Sequence, residues 1–104
     1  MIKLSIDTSN RTKSIITLEA KGEMFNNVIE SNVPHSEKIL EGIERICWDA
    51  KIDPKAIDQI EVGEGPGSFT GLRVGIAIAN TLGFALGITI NGKKVGTLAE
   101  PVYS

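Results

Sequence analysis

The chain has 104 residues, 41% of them hydrophobic, a formal net charge of −2 and a single cysteine. That is enough apolar material for one core and one domain. The lone Cys47 excludes an internal disulfide, and no basic stretch followed by an apolar segment precedes the first strand, so a cytoplasmic protein without a membrane span is expected. No run of Lys or Arg stands out, so strong direct binding of a nucleic-acid backbone by the isolated chain is not expected.

In chain order, Ile2, Leu4 and Ile6 alternate with Lys3 and Ser5 and lead into the turn formers Asp7-Thr8-Ser9-Asn10, which predicts a first strand ending at Asp7. The β-branched run Ile15-Ile16-Thr17-Leu18, the Lys21-Gly22 turn signal, then Met24-Phe25 and Val28-Ile29 complete a three-stranded antiparallel meander. After Pro34, residues Ile39, Leu40, Ile43, Ile46, Cys47 and Ala50 recur at helical spacing opposite Lys38, Glu41, Glu44, Arg45 and Asp49, so an amphipathic helix runs to about Lys51. Trp48 projects about 180° from the apolar stripe of that helix, in the middle of its charged face. A tryptophan there either lies flat on the surface or serves a partner.

Asp53-Pro54 has the order of a helical cap, with Lys55 to Ile57 supplying a short turn before a strand at Gln59 to Gly63. From Gly71 to Gly87 the chain is almost wholly apolar and too long for a strand, which predicts a buried helix with no polar face. Gly71, Gly75, Ala79, Gly83 and Gly87 fall four residues apart on it and form a groove of small residues in which another helix could settle. Arg73, Asn80, Thr81 and the modest length argue against a membrane span. Ile88 to Ile90 forms a last strand and Asn91-Gly92 a turn. The order β-β-β-α-β-α-β fits an α/β protein, half of an actin-like (ribonuclease H-like) ATPase fold, with a mixed sheet and helices packed on it.

The glycine-rich segment from Gly63 to Gly75 has two readings. Gly63, Gly65 and Gly67 around Pro66 let a strand turn sharply into a helix, with Ser68 or Thr70 as cap. Alternatively, backbone N–H groups at that helix start hold a phosphate, with Arg73 one turn in. The segment is not a Walker loop, since no Gly-Lys-Ser/Thr follows, and a serine-hydrolase elbow centred on Ser68 would need glycines where Pro66 and Thr70 stand.

Residues 63–75, Gly-Glu-Gly-Pro-Gly-Ser-Phe-Thr-Gly-Leu-Arg-Val-Gly, resemble the signature segment of the TsaB (YeaZ-like) family. Ile6-Asp7-Thr8-Ser9 and Pro34-His35-Ser36-Glu37 are similar to that family at the matching points of its fold. The resemblance covers the N-terminal half of what the family has, so a single N-terminal TsaB-like domain over residues 1–104, without the family's second domain, is expected. It implies a non-catalytic scaffold that pairs with TsaD, the catalytic relative that transfers a threonylcarbamoyl group to adenosine of ANN-decoding tRNAs. It also implies pairing with a second copy of itself, and places a TsaE-type ATPase among the partners.

The catalytic relative holds its metal through two histidines one helical turn apart. Here the only histidine, His35, is followed four residues later by Ile39, so neither a catalytic residue nor a metal ligand is assigned. Candidate partner contacts are Trp48, Arg73, Gly75, Ile76, Ala79 and Gly83. Asp7 with Thr8 resembles the first phosphate loop of actin-like ATPases and, with Gly67 and Ser68, forms the candidate phosphate or nucleotide contact. No cofactor is expected to be held firmly by this chain, ATP or ADP entering only at a partner interface. The rival reading is an actin-like nucleotide-binding domain acting through Asp7 and the Gly65 to Gly71 segment.

Overall fold

Period-two alternation builds the first strand, β1 (Ile2–Asp7), which turns Leu4 and Ile6 into the core and Lys3 and Ser5 to the opposite face of the sheet. The computed structural model describes residues 1–10, 12–30, 36–67 and 69–101. β2 (Lys13–Ala20) and β3 (Glu23–Glu30) continue the meander, with Ala20 opposite Glu23 across a two-residue turn. Both turn residues, Lys21 (φ 56°) and Gly22 (φ 76°), lie in the left-handed region. This is the turn whose twist matches that of a hairpin.

α1 (Ser36–Ala50) returns the chain to β4 (Gln59–Val62), which runs parallel to β1. α2 (Phe69–Leu86) then crosses to β5 (Thr89–Ile90), parallel to β4. The sheet order β3-β2-β1-β4-β5 is that of the expected half actin-like fold. The short turn at Pro54–Ala56 is a 3-10 helix whose cap, Asp53, accepts a hydrogen bond from the Lys55 N–H at 2.9 Å. Strand and helix ends fall within about two residues of the expected ones.

Both helices pack on one face of the sheet, α1 over β2 and β3, α2 over β1, β4 and β5, and they touch each other. Leu4, Ile6, Ile16, Leu18 and Ile60 meet Ile39, Ile46, Cys47 and Leu72 in a single core. Each fully buried aliphatic side chain contributes roughly 1.5–3 kcal/mol. Both helices end in the same motif. Lys51 (φ 57°) and Gly87 (φ 65°) turn left-handed, while the Ile52 N–H bonds back to the Cys47 carbonyl at 2.9 Å and the Ile88 N–H to that of Gly83 at 3.1 Å.

The other face of the sheet carries Lys3 between Glu61 (3.2 Å) and Glu19 (3.9 Å), and Thr17 donates to Asn26 Oδ1 at 2.9 Å. After β5 the chain turns at Asn91-Gly92 and runs back to α2 at Ala99. Among the described residues no helix is long and apolar enough to cross a membrane.

Candidate functional site

Two regions gather the residues singled out from sequence: the loops at the carboxyl ends of β1 and β4, and the outer faces of the two helices. In the first, Asp7 Oδ1 accepts hydrogen bonds from the Ser9 N–H (3.0 Å) and the Ser9 hydroxyl (2.7 Å), closing a turn immediately after β1. The glycine-rich loop is pressed against this turn. A Cβ at Gly63 would stand 3.2 Å from Asp7 Oδ1, and one at Gly67 only 2.7 Å from Ser9 Cβ and 2.9 Å from the Ser9 carbonyl oxygen. Close approach of two backbones therefore accounts for both glycines.

Thr8 does not behave as a phosphate contact. It is fully buried, and its hydroxyl donates to the Gly71 carbonyl in the first turns of α2. That bond ties the end of β1 to the helix start. Of the candidate contacts among the described residues, the Asp7 carboxylate is exposed and Gly67 partly so. Ser68 and His35 lie outside the described residues.

A network the sequence reading did not find runs behind this loop. Asn91 behaves like an added strand residue: its Oδ1 accepts from the Val62 N–H at 2.8 Å and its Nδ2 donates to the Val62 carbonyl at 3.2 Å and to Glu64 Oε1 at 3.0 Å. Glu64 Oε2 in turn accepts from the Glu100 N–H at 2.9 Å. Glu64 thus anchors the glycine-rich loop to the turn after β5 and to the tail.

The second region requires a correction. Gly75, Ala79 and Gly83, expected at a partner, face the chain's own sheet, and Ile76 is buried with them. Gly75 abuts Thr8, and a Cβ at Gly83 would come within 2.6 Å of Ile90 Cδ1. The small residues let α2 sink onto the ends of β1 and β5, which four-residue spacing alone cannot distinguish from a bed for another helix. Nor is α2 buried all round, since Arg73, Ala77, Thr81, Phe84 and Ala85 form an exposed side.

The outward surface is nonetheless apolar where it is least expected. Trp48 is 80% and Phe84 87% exposed. Between α1 and α2 runs an open groove of about 430 Å³ lined by Ser36, Leu40, Arg73, Val74, Ala77, Ile78, Thr81 and Leu82. Leu40, assigned from sequence to the buried stripe, is 43% exposed along its rim. At the other end of α1, Trp48 borders a hollow with Cys47, Lys51 and Ile52. Burial, reinforced by the charge of Asp53, pushes the Cys47 thiol above its ordinary pKa.

A family model described as TsaD, tRNA N6-adenosine threonylcarbamoyltransferase, matches residues 25–93. The tRNA threonylcarbamoyladenosine biosynthesis protein TsaB of Bacillus subtilis is 30% identical over 114 aligned residues, covering 99% of this chain. The chain belongs to the TsaB/YeaZ family. A second TsaB protein, from Buchnera aphidicola, is 35% identical across 98% of the chain. YeaZ from Pseudomonas aeruginosa superposes with a TM-score of 0.78 at 28% identity, over 86% of the chain. The chain spans about half the length of these TsaB relatives, 50% and 49%, and 41% of the YeaZ chain.

Proposed function

We propose that this chain is a non-catalytic pairing subunit in the formation of threonylcarbamoyladenosine in tRNA, seating the outer faces of α1 and α2 on a TsaD-type catalytic relative. The observation that carries this reading is the apolar exposure of that surface: Trp48, Phe84 and Leu40 stand exposed on helices whose remaining outward residues are charged or small, and Leu40 lines the groove between them. Large aromatic side chains standing in water are characteristic anchors of an interface. The names of the matched relatives point to the same pathway, and a chain with one histidine cannot supply the two-histidine metal site of the catalytic relative. A second copy, offering the same two helices, would compete for the surface.

Sedimentation of the chain with a purified TsaD-type protein tests the proposal. The wild-type chain should co-sediment with it, and Trp48→Ala should weaken the complex by about 2 kcal/mol, roughly thirtyfold in affinity. A wild-type chain that never associates, or a mutant that binds equally well, would remove this assignment.

The second reading, nucleotide binding, is favoured by one observation. The exposed Asp7 carboxylate and the glycine-rich loop lie together at the carboxyl ends of parallel strands, where α/β proteins hold ligands. Burial of Thr8 withdraws one of its four candidate contacts. ATP or ADP would then bind only where a partner, TsaD-type or TsaE-type, completes the site. Loss of nucleotide hydrolysis in Asp7→Ala with pairing intact would favour this reading over the first.

A further inference from the structure

The glycine-rich loop leaves β4 after Val62 and enters α2 at Phe69. Its first residue is fixed, because the Gly63 N–H bonds to the Ile6 carbonyl at 3.0 Å, and Gly67 is pressed against Ser9. Among the described residues, however, no backbone hydrogen bond holds Glu64, Gly65, Pro66 or Gly67. The polar hold on this stretch falls to the Glu64 side chain, whose two oxygens point to different parts of the chain. Oε1 takes Asn91 Nδ2, which is itself fixed to Val62 of β4, and Oε2 takes the Glu100 N–H.

The tail is held in the same indirect way. The Thr97 N–H bonds back to the Lys94 carbonyl at 3.0 Å, but residues 97–100 belong to no strand or helix. Side chains meet the polar groups further on: Asn80 of α2 takes the N–H and the carbonyl of Ala99, and Glu64 takes the N–H of Glu100. Ala99 is buried, so water cannot replace those bonds while the tail is seated. Consecutive Cα atoms are only about 3.8 Å apart. Ala99 therefore cannot leave Asn80 without carrying the Glu100 N–H out of reach of Glu64.

We infer that residues 97–100 act as a strap. Seated on α2, the tail holds the Glu64 carboxylate and, through it, the glycine-rich loop against the Asp7–Ser9 turn; unseating the tail frees the loop. The setting of Asp7 and Gly67 is thus controlled by a residue 36 positions beyond Glu64. Such coupling is reciprocal, so whatever draws the loop away from its place loosens the tail by the same factor. It stands whether or not a nucleotide binds beside Asp7.

Hydrogen exchange, followed amide by amide in the full chain, tests the strap at residues that the altered side chain does not touch. Glu64→Ala leaves both Asn80 bonds to Ala99 in place, yet it should speed exchange at the Ala99 N–H roughly tenfold or more, the weight of one hydrogen bond to a charged group. Asn80→Leu leaves Glu64 in place, yet it should speed exchange at the N–H groups of Gly63 and Ser9, which bond to the Ile6 carbonyl and Asp7 Oδ1. Leu4 and Leu18, in strands paired on both sides, should keep their rates and serve as the reference. Glu64→Gln retains one acceptor oxygen and should fall between the wild-type chain and Glu64→Ala.

Exchange that rises only at the altered side chain's own partner, Glu100 in Glu64→Ala or Ala99 in Asn80→Leu, would overturn the strap, because tail and loop would then open separately. If Glu64→Ala also speeds Leu4 and Leu18, the whole chain is weakened and Glu64→Gln decides. A raised rate at Ala99 relative to Leu4 in that variant supports the strap, and an unchanged ratio overturns it.

Discussion

The side chain of Thr8 occupies the space that a side chain at Gly75 would need. A Cβ built there would collide with Thr8 Oγ1 and stand 3.1 Å from its γ-methyl, while the same hydroxyl holds the Gly71 carbonyl one turn earlier in α2. Helix and strand are thereby locked together at the point where β1 ends. Gly75→Ala should gain about 1 kcal/mol of helix propensity but lose more to overpacking, roughly 1–3 kcal/mol, because Thr8 is fully buried and cannot swing away. Net destabilisation is expected in urea titration. Gly83→Ala should be milder, since the nearest atom is the flexible end of Ile90. If Gly75→Ala instead leaves the midpoint unchanged and only reduces association, the small residues of α2 serve a partner after all.

The exposed aromatics should separate stability from association. Phe84 stands almost wholly in water, so Phe84→Ala is expected to shift the unfolding free energy by no more than about 0.5 kcal/mol. If the helix face is the interface, the same change should weaken complex formation with a TsaD-type protein, and combining it with Trp48→Ala should weaken it further. Isothermal titration alongside thermal unfolding distinguishes the two effects. A Phe84→Ala chain that unfolds far more easily would show that the ring packs inside the domain.

Cys47 sets a pH dependence whose sign follows from its surroundings. Burial first, and the Asp53 charge second, raise the thiol pKa in the folded chain, whereas the unfolded thiol ionises near its ordinary value of about 8.5. As pH climbs past that value the unfolded state loses its proton first. The stability contributed by the neutral buried thiol is complete below that pH and is lost as pH rises through the folded pKa. Unfolding midpoints measured between about pH 7 and 10 should therefore fall more steeply for the wild-type chain than for Cys47→Ala. Parallel curves would show that the thiol is not responsible.

Element order and sheet type were legible because periodicity is local: Ile2, Leu4 and Ile6 alternate, the stripe from Ile39 to Ala50 is helical, and Trp48 falls opposite it, where the structure shows it exposed. What was not legible depends on distant partners. The burial of Thr8 follows from a bond to a residue 63 positions away. The spacing of Gly75, Ala79 and Gly83 marks a place for close approach but not what approaches. Asn91 reads as a turn former, and Glu64 carries no signal of its own. Their mutual bond, and that of Glu64 to Glu100, span 27 and 36 positions and leave no pattern in the chain.

Asn80 shows most directly how such a distant contact could be tested. On a half-buried position of α2, its Oδ1 accepts from the Ala99 N–H at 2.8 Å and its Nδ2 donates to the Ala99 carbonyl at 3.2 Å, so a single carboxamide satisfies both backbone groups of a buried residue. With Glu64 holding the next N–H, the tail is strapped across the helix at two consecutive residues. Asn80→Leu keeps the branched shape but removes both bonds and leaves buried polar groups unpaired, at a cost of about 1–3 kcal/mol. Asn80→Asp keeps the acceptor but turns a second oxygen toward the Ala99 carbonyl, so it should recover only part of the loss. Hydrogen exchange should report the change first at the amides of Ala99 and Glu100, with β1 and β2 still protected. Unchanged exchange at Ala99 in Asn80→Leu would mean that burial of the alanine, and not the asparagine clamp, holds the tail in place.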